Sequence, residues 1–280
     1  MRRPFAPLLL LVGLLCACTF GAAEFQAYRQ AFEVQYVEGE KVLDQVGSAE
    51  RRLAAQQFSR KPGIRDFDPD EARYYLKVGD PPLTGAIRAS LTALKDYNDA
   101  LSGLVTGEAA AAVRGELTSA NTALKTSLSA LGGAAGVNVA LVETLAGGIG
   151  KVIPILALLE QAQNRADFRD QLVAAHPDMK ALLLTQRTGP PLMFEVVQLG
   201  YTKVGGLGGS DGVSGDNLVR LEEFRSLLAG WVILLDQSII AMDQAVVAVA
   251  TQSNGPDLTA LIAASVEIEI LAEAIKTARN

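Results

Sequence analysis

Apolar residues recur at alternating spacings of three and four along two long stretches of this chain, and that restricts its fold more than any other feature. In residues 24 to 58 they are Phe25, Tyr28, Phe32, Gly39, Val42, Val46, Ala49 and Leu53, with polar Gln35 in the remaining slot. Charged and polar side chains fill the positions between. This is the period of a helix packed through a heptad seam. No proline intervenes before Pro62, so one helix of roughly 50 Å is expected. In residues 217 to 252 the seam is Leu221, Phe224, Leu228, Trp231, Leu235, Met242, Ala245 and Val249, with Ser238 as the polar slot. Here Leu235-Asp236-Gln237-Ser238-Ile239-Ile240 recurs seven residues on as Met242-Asp243-Gln244-Ala245-Val246-Val247.

The remaining segments read as shorter helices separated by proline and glycine. Residues 59 to 82 carry Pro62, Gly63, Pro69, Gly79, Pro81 and Pro82, a connector with one turn of helix expected near Asp70 to Leu76. A helix follows with Ile87, Leu91, Leu94, Leu101 and Leu104 on one face, broken at Thr106-Gly107. Another spans 108 to 131. Such short breaks favour antiparallel neighbours. His176-Pro177 is expected to interrupt the chain, because the residue before proline disfavours helical geometry. A short helix is expected from Met179 to Thr188. Leu192 to Val204 is the most strand-like stretch, with Phe194, Val196, Val197 and Tyr201. Gly205 to Gly215 reads as a linker: it lacks the ending of a phosphate-binding loop, and Asp211 and Asp216 lack the ligand alternation of a calcium loop. Asn254-Gly255-Pro256 ends the second long helix. A last one starts at Asp257 as N-cap.

Residues 132 to 159 differ in kind, with Glu143 and Lys151 as the only charges among 28 residues rich in glycine and alanine. A helix apolar all round is buried centrally or lies in a membrane. The central helix of a bundle is expected, running on to about Ala175. A membrane-inserting hairpin of the pore-forming kind is the alternative, opposed by the cost of Glu143 and Lys151 in lipid and by Pro154.

The N-terminus has the order of an export signal: Arg2 and Arg3, an apolar run from Leu8 to Leu15, then small residues. The run is too short to span a bilayer, which takes roughly 20 residues. Leu15-Cys16-Ala17-Cys18 resembles a lipobox with Cys18 as the lipidated residue. Gly21-Ala22-Ala23 offers ordinary cleavage after Ala23 instead. The expected division is a signal over 1–23 and one helical domain over 24–280, with loops at 59–82 and 205–216. The expected place is the periplasm, anchored to the outer membrane, or secretion if Cys18 carries no lipid.

Residue types then narrow the function. The two cysteines, Cys16 and Cys18, both lie in the signal, so about 257 mature residues hold no thiolate, disulfide or cysteine-based zinc site. His176 is the one histidine, a poor basis for a catalytic triad or a haem or metal site. Removing Arg2 and Arg3 leaves 23 basic against 31 acidic residues, a charge of −8, with no basic run longer than Arg51-Arg52. That argues against nucleic acid. Asp236 and Asp243, two turns apart on one helix face, are a remote candidate for a catalytic carboxylate pair, with Glu222 as a further carboxylate. The polar edge of a heptad stripe is the simpler reading. The chain is thus expected to be an all-α, elongated antiparallel bundle of about six helices with coiled-coil-like seams. Neither catalytic residues nor a cofactor or metal is expected. Its work would be binding or scaffolding an envelope protein partner, with membrane attachment through Cys18. Seams this regular also allow a homo-oligomer.

Overall fold

The computed structural model describes residues 22–60, 69–76, 78–108, 110–134, 139–201, 215–251 and 258–279. These are helical with no strand among them. Eight helices of three turns or more are found: α1 Ala22–Arg60, α2 Pro82–Thr106, α3 Ala110–Ala130, α4 Val139–Glu160, α5 Arg165–Thr188, α6 Pro190–Tyr201, α7 Gly215–Ala250 and α8 Thr259–Arg279. A 3-10 turn at Pro69–Glu71 and one helical turn at Ala72–Tyr75 lie in the first connector. The lipidation candidate Cys18, and most of the glycine-rich segment 205–215, fall outside the described residues.

Both long seams are buried. Phe25, Tyr28, Phe32, Gln35, Val42, Val46, Ala49 and Leu53 of α1 all point inward, and so do Leu221, Phe224, Leu228, Trp231, Leu235, Ser238, Met242, Ala245 and Val249 of α7. Each large side chain so buried contributes roughly 1.5–3 kcal/mol of transfer free energy. Ser238 occupies its apolar slot at little cost, because its hydroxyl donates to the Leu234 carbonyl at 2.8 Å.

Two four-helix rings share α2 and α5. In the first, α2, α3, α4 and α5 alternate in direction and pack in sequence, with α5 closing on α2. Asn121 of α3 donates to Glu160 at the far end of α4 at 2.9 Å, and Gly148 of α4 lies against Leu182 and Thr185 of α5. In the second ring, α1, α2, α5 and α7 enclose the core. α1 runs antiparallel to α2: Ser102 donates to the Phe25 carbonyl at one end, while Glu50 meets Leu83 and Thr84 at the other. α8 folds back on α7 and also packs on α1. The short α6 rests on α1 and α7.

Several boundaries differ from the sequence reading. α4 ends at Glu160 instead of running to Ala175, and Asn164 starts α5 by accepting from the Ala166 and Asp167 amides at 2.9 and 3.0 Å. The apolar segment thus forms a hairpin with α5. His176-Pro177 does not interrupt α5, which is one helix through Pro177. Pro177 is exposed, while Phe168, Leu172, Ala175, Met179, Leu182 and Leu183 are buried along one uninterrupted face. That packing outweighs the lost backbone bond and the steric cost of proline, about 3 kcal/mol. Residues 192 to 201 of the strand-like stretch lie in α6, and the helices number eight where about six were expected. The break at Thr106-Gly107 is present, with Gly107 left-handed at φ 86° and its N–H on the Gly103 carbonyl at 3.1 Å.

The most apolar helix, α4, is also not central. It packs on α3 and α5, with little contact to α2. Leu141, Leu145, Ile149, Val152, Leu156 and Leu159 face inward. Its outer face carries Glu143, Gly147, Gly150, Lys151, Pro154 and Leu158. Among the described residues α4 and α7 are long and apolar enough to cross a membrane, with 28% of the α4 window and 50% of the α7 window buried.

Candidate binding surfaces around α6

Two concave surfaces flank α6, one apolar and one polar, and α7 contributes to both. Gly200 of α6 lies directly on α1: a Cβ added there would sit 3.3 Å from Ala49 Cα. Such close backbone approach needs a residue without a side chain. It sets the neighbouring Tyr201 beside Arg52, whose guanidinium carbon is 4.4 Å from the centre of the tyrosine ring. At the other end of α6, Phe194 stacks on Phe224 at 6.3 Å between centroids, and the Arg225 guanidinium lies 5.0 Å over the Phe194 ring. Each end of the helix thus carries an arginine on an aromatic face.

The apolar groove has a volume of about 590 Å³ and runs between the start of α6 and the middle of α7. Pro190, Pro191, Phe194, Leu228, Val232 and Ile233 line it, and Arg187 and Arg225 stand at its rim. Arg187 pairs with Asp236 at 2.9 Å, and Arg225 pairs with Glu222 at 2.6 Å. Ile233 is 44% exposed, and Ile240 and Val247 continue the exposed line at heptad spacing. α7 therefore carries a second apolar line, on the side away from its core seam.

The polar cavity, about 550 Å³, lies between α1, the end of α6 and the start of α7. Asp44, Gln45, Ser48 and Arg52 come from one face of α1, Tyr201 from α6, and Arg220 and Glu223 from α7. The Arg52 Nε is buried without a hydrogen-bond acceptor among the described residues.

The sequence-level candidates do not converge on a reaction centre. His176 sits within α5 and meets Asp243 of α7 at 2.9 Å, and Lys180 binds the other oxygen of the same carboxylate at 2.6 Å. Asp236 is held by Arg187, one heptad away. Glu222 faces solvent with Arg225. Asp236 and Asp243 are thus the α7 side of an ion-paired edge against α5. No group of three or more potential metal ligands occurs among the described residues. No protein family, curated protein or solved structure matches this chain.

The residues that line both surfaces were not singled out from the sequence. Arg51-Arg52 is visible there as a basic pair, and the seam through Ala49 and Leu53 places Arg52 at the edge of α1. Tyr201 and Arg220 meet it only through the packing of α6 and α7.

Proposed function

We propose that this protein is an exported, non-enzymatic binding module of the cell envelope, tethered through a lipid on Cys18 and working as a partner-docking or scaffolding bundle. The observation that carries the reading is the apolar groove beside α6, continued along α7 by Ile240 and Val247. Large exposed apolar patches mark interaction sites more often than chance. The engagement of Asp236 and Asp243 in ion pairs supports the same reading, because a carboxylate held by Arg187 or Lys180 is poorly placed to act as acid or nucleophile.

Two experiments test it. A Cys18→Ser variant should leave the membrane fraction; if it stays, the lipid tether is wrong. A photo-crosslinking residue at position 233, in cells that export the protein, should capture a discrete partner, and Val232→Asp should abolish that adduct. No adduct at 233, or one indifferent to Val232→Asp, would overturn the groove as the docking surface.

A second reading, insertion of residues 132–159 into a bilayer, has in its favour that α4 is long and apolar enough to span one. Against it stand Glu143 and Lys151 on the outer face of α4, each costing about 3 kcal/mol at mid-bilayer. Dye release from liposomes by the mature protein would favour insertion. Intact liposomes and a monodisperse protein without detergent would remove it.

A further inference from the structure

The polar cavity between α1, α6 and α7 is electrically asymmetric. α1 and α7 run antiparallel, with Gly39 against Trp231, which brings Arg52 level with Arg220 and sets Asp44 towards the opposite end. Arg52 and Asp44 are two turns apart on α1, roughly 12 Å along the axis. Glu223 lies one turn along α7 from Arg220.

The cationic end has unmet demand. Arg52 uses the face of its guanidinium on Tyr201, which leaves its in-plane N–H groups, the strong donors of that side chain, available to a ligand, and Arg52 forms no ion pair among the described residues. Its Nε is buried and unpaired, and Arg220 likewise forms no ion pair among the described residues. Two guanidiniums at one end of the cavity, one from α1 and one from α7, suit a planar oxyanion, which guanidiniums bind in a bidentate fashion.

The acidic end is in surplus. Asp44 contacts Arg88 at 3.1 Å, but Arg88 is shared with Glu40 and also with Asp80 at 2.7 Å, so three carboxylates surround one guanidinium. Glu223 forms no ion pair among the described residues. A polyanion reaching into this end meets repulsion, and a ligand with a cation there is favoured.

We propose that this cavity binds a short peptide-like zwitterion, with its carboxylate on Arg52 and Arg220 and its ammonium towards Asp44. A chain advances at most about 3.3–3.6 Å per residue, so three residues separate the terminal charges by the length that the cavity offers. The Tyr201 ring and the Gln45 and Ser48 side chains line the path between. Arg52 lies thirty residues, about 45 Å, along α1 from Ala22, far from a lipid on Cys18, which favours a freely diffusing ligand over a headgroup of the anchoring membrane. The cavity is a different surface from the apolar groove, so either assignment can fail alone.

Calorimetric titration of the mature protein with trialanine tests the proposal. Saturable binding is expected. Trialanine amide, which lacks the carboxylate, and N-acetyl-trialanine, which lacks the ammonium, should each bind about tenfold more weakly or worse. Arg220→Gln, at an exposed position, should cause a similar loss with unchanged thermal unfolding, and Arg52→Gln a larger one that Arg52→Lys partly restores. Absence of saturable heat at millimolar trialanine overturns the proposal. So does binding of inorganic phosphate as tight as that of trialanine, or binding that survives both arginine substitutions.

Discussion

Glu50 of α1 closes the N-terminus of α2 through Thr84: its carboxylate accepts from the Thr84 amide at 2.9 Å and from the Thr84 hydroxyl at 2.8 Å. The Leu83 amide and the Tyr74 hydroxyl complete the set at 3.0 and 3.1 Å. Pro81 precedes the helix and has no side-chain cap to offer, so a residue 34 positions away satisfies the first amides. Burial pushes the Glu50 carboxyl up, and the four donors pull against that. Replacing it with alanine removes the acceptor of two backbone amides and of the Thr84 and Tyr74 hydroxyls. Glu50→Ala should cost about 3 kcal/mol in chemical denaturation, and Glu50→Gln, which keeps one acceptor oxygen, clearly less. Equal losses for the two would show that hydrogen-bond satisfaction is not what Glu50 provides.

Gly39 lies where α1 crosses the only tryptophan. A Cβ there would stand 2.7 Å from Leu91 Cδ2 and 2.9 Å from Trp231 Nε1. Both neighbours are side chains in a filled core, so they must move together. Gly39→Ala should destabilise by about 1–3 kcal/mol. Because Trp231 is the sole indole and is fully buried, its fluorescence reports the shift directly. An unchanged emission spectrum with full stability would mean that the helices separate more easily than this packing implies.

Asp96 of α2 gives a pH dependence of defined sign. Burial, then the Glu116 carboxylate on α3 and also Asp99, push its carboxyl up from 3.8 to about 7, against the pull of Lys95. The folded state therefore holds this proton more tightly than the unfolded state does. Between about pH 7 and 3.8 the contribution of Asp96 to stability grows as pH falls, and above pH 7 the ionised group opposes folding. Asp96→Asn should raise stability at pH 8 by on the order of 1 kcal/mol, since remaining solvent contact screens the larger value of a dry site. The gain should shrink towards pH 4. Denaturation of both proteins across that range checks it, and a gain independent of pH would exclude ionisation as the cause.

The ion-paired edge between α5 and α7 should matter little to stability. Asp243 is about a third exposed and so is Lys180. Asp243→Asn is expected to cost less than about 1 kcal/mol, and a double-mutant cycle with Lys180→Met should return a coupling of a few tenths. A loss of several kcal/mol would mark the His176–Asp243–Lys180 cluster as a structural centre. Loss of a measured hydrolytic activity in Asp236→Asn or Asp243→Asn, with the fold intact, would favour an enzymatic reading over the binding one.

The spacing of apolar residues made the helical class and both long seams legible, down to the polar slots at Gln35 and Ser238. Chain breaks were less legible. Gly107 and Pro81-Pro82 act locally, and they appear where the sequence places them. Asn164 also acts locally, as an N-cap, but its signal is submerged in a continuous apolar pattern on either side. Pro177 carries a strong local signal that the packing of Met179, Leu182 and Leu183 overrides.

The sequence by itself determined what is periodic: which faces of α1 and α7 are apolar, and that those helices are long enough to form a bundle. It also determined that the chain holds one histidine and two cysteines, both cysteines within the first 18 residues, because residue types need no fold to be counted. Only the tertiary structure decided that the most apolar segment, α4, lies at the edge and not at the centre. Hydropathy sums both faces of a helix, and the sum for α4 comes largely from its inward Leu141, Leu145, Ile149, Val152, Leu156 and Leu159, while its outer face carries Gly147, Gly150 and Pro154 with the charges of Glu143 and Lys151. Only the tertiary structure, likewise, set Arg52 beside Tyr201 and level with Arg220. Residues so far apart in the chain meet through the register of antiparallel helices, and that register is fixed by contacts such as Gly200 on Ala49 that leave no periodic trace.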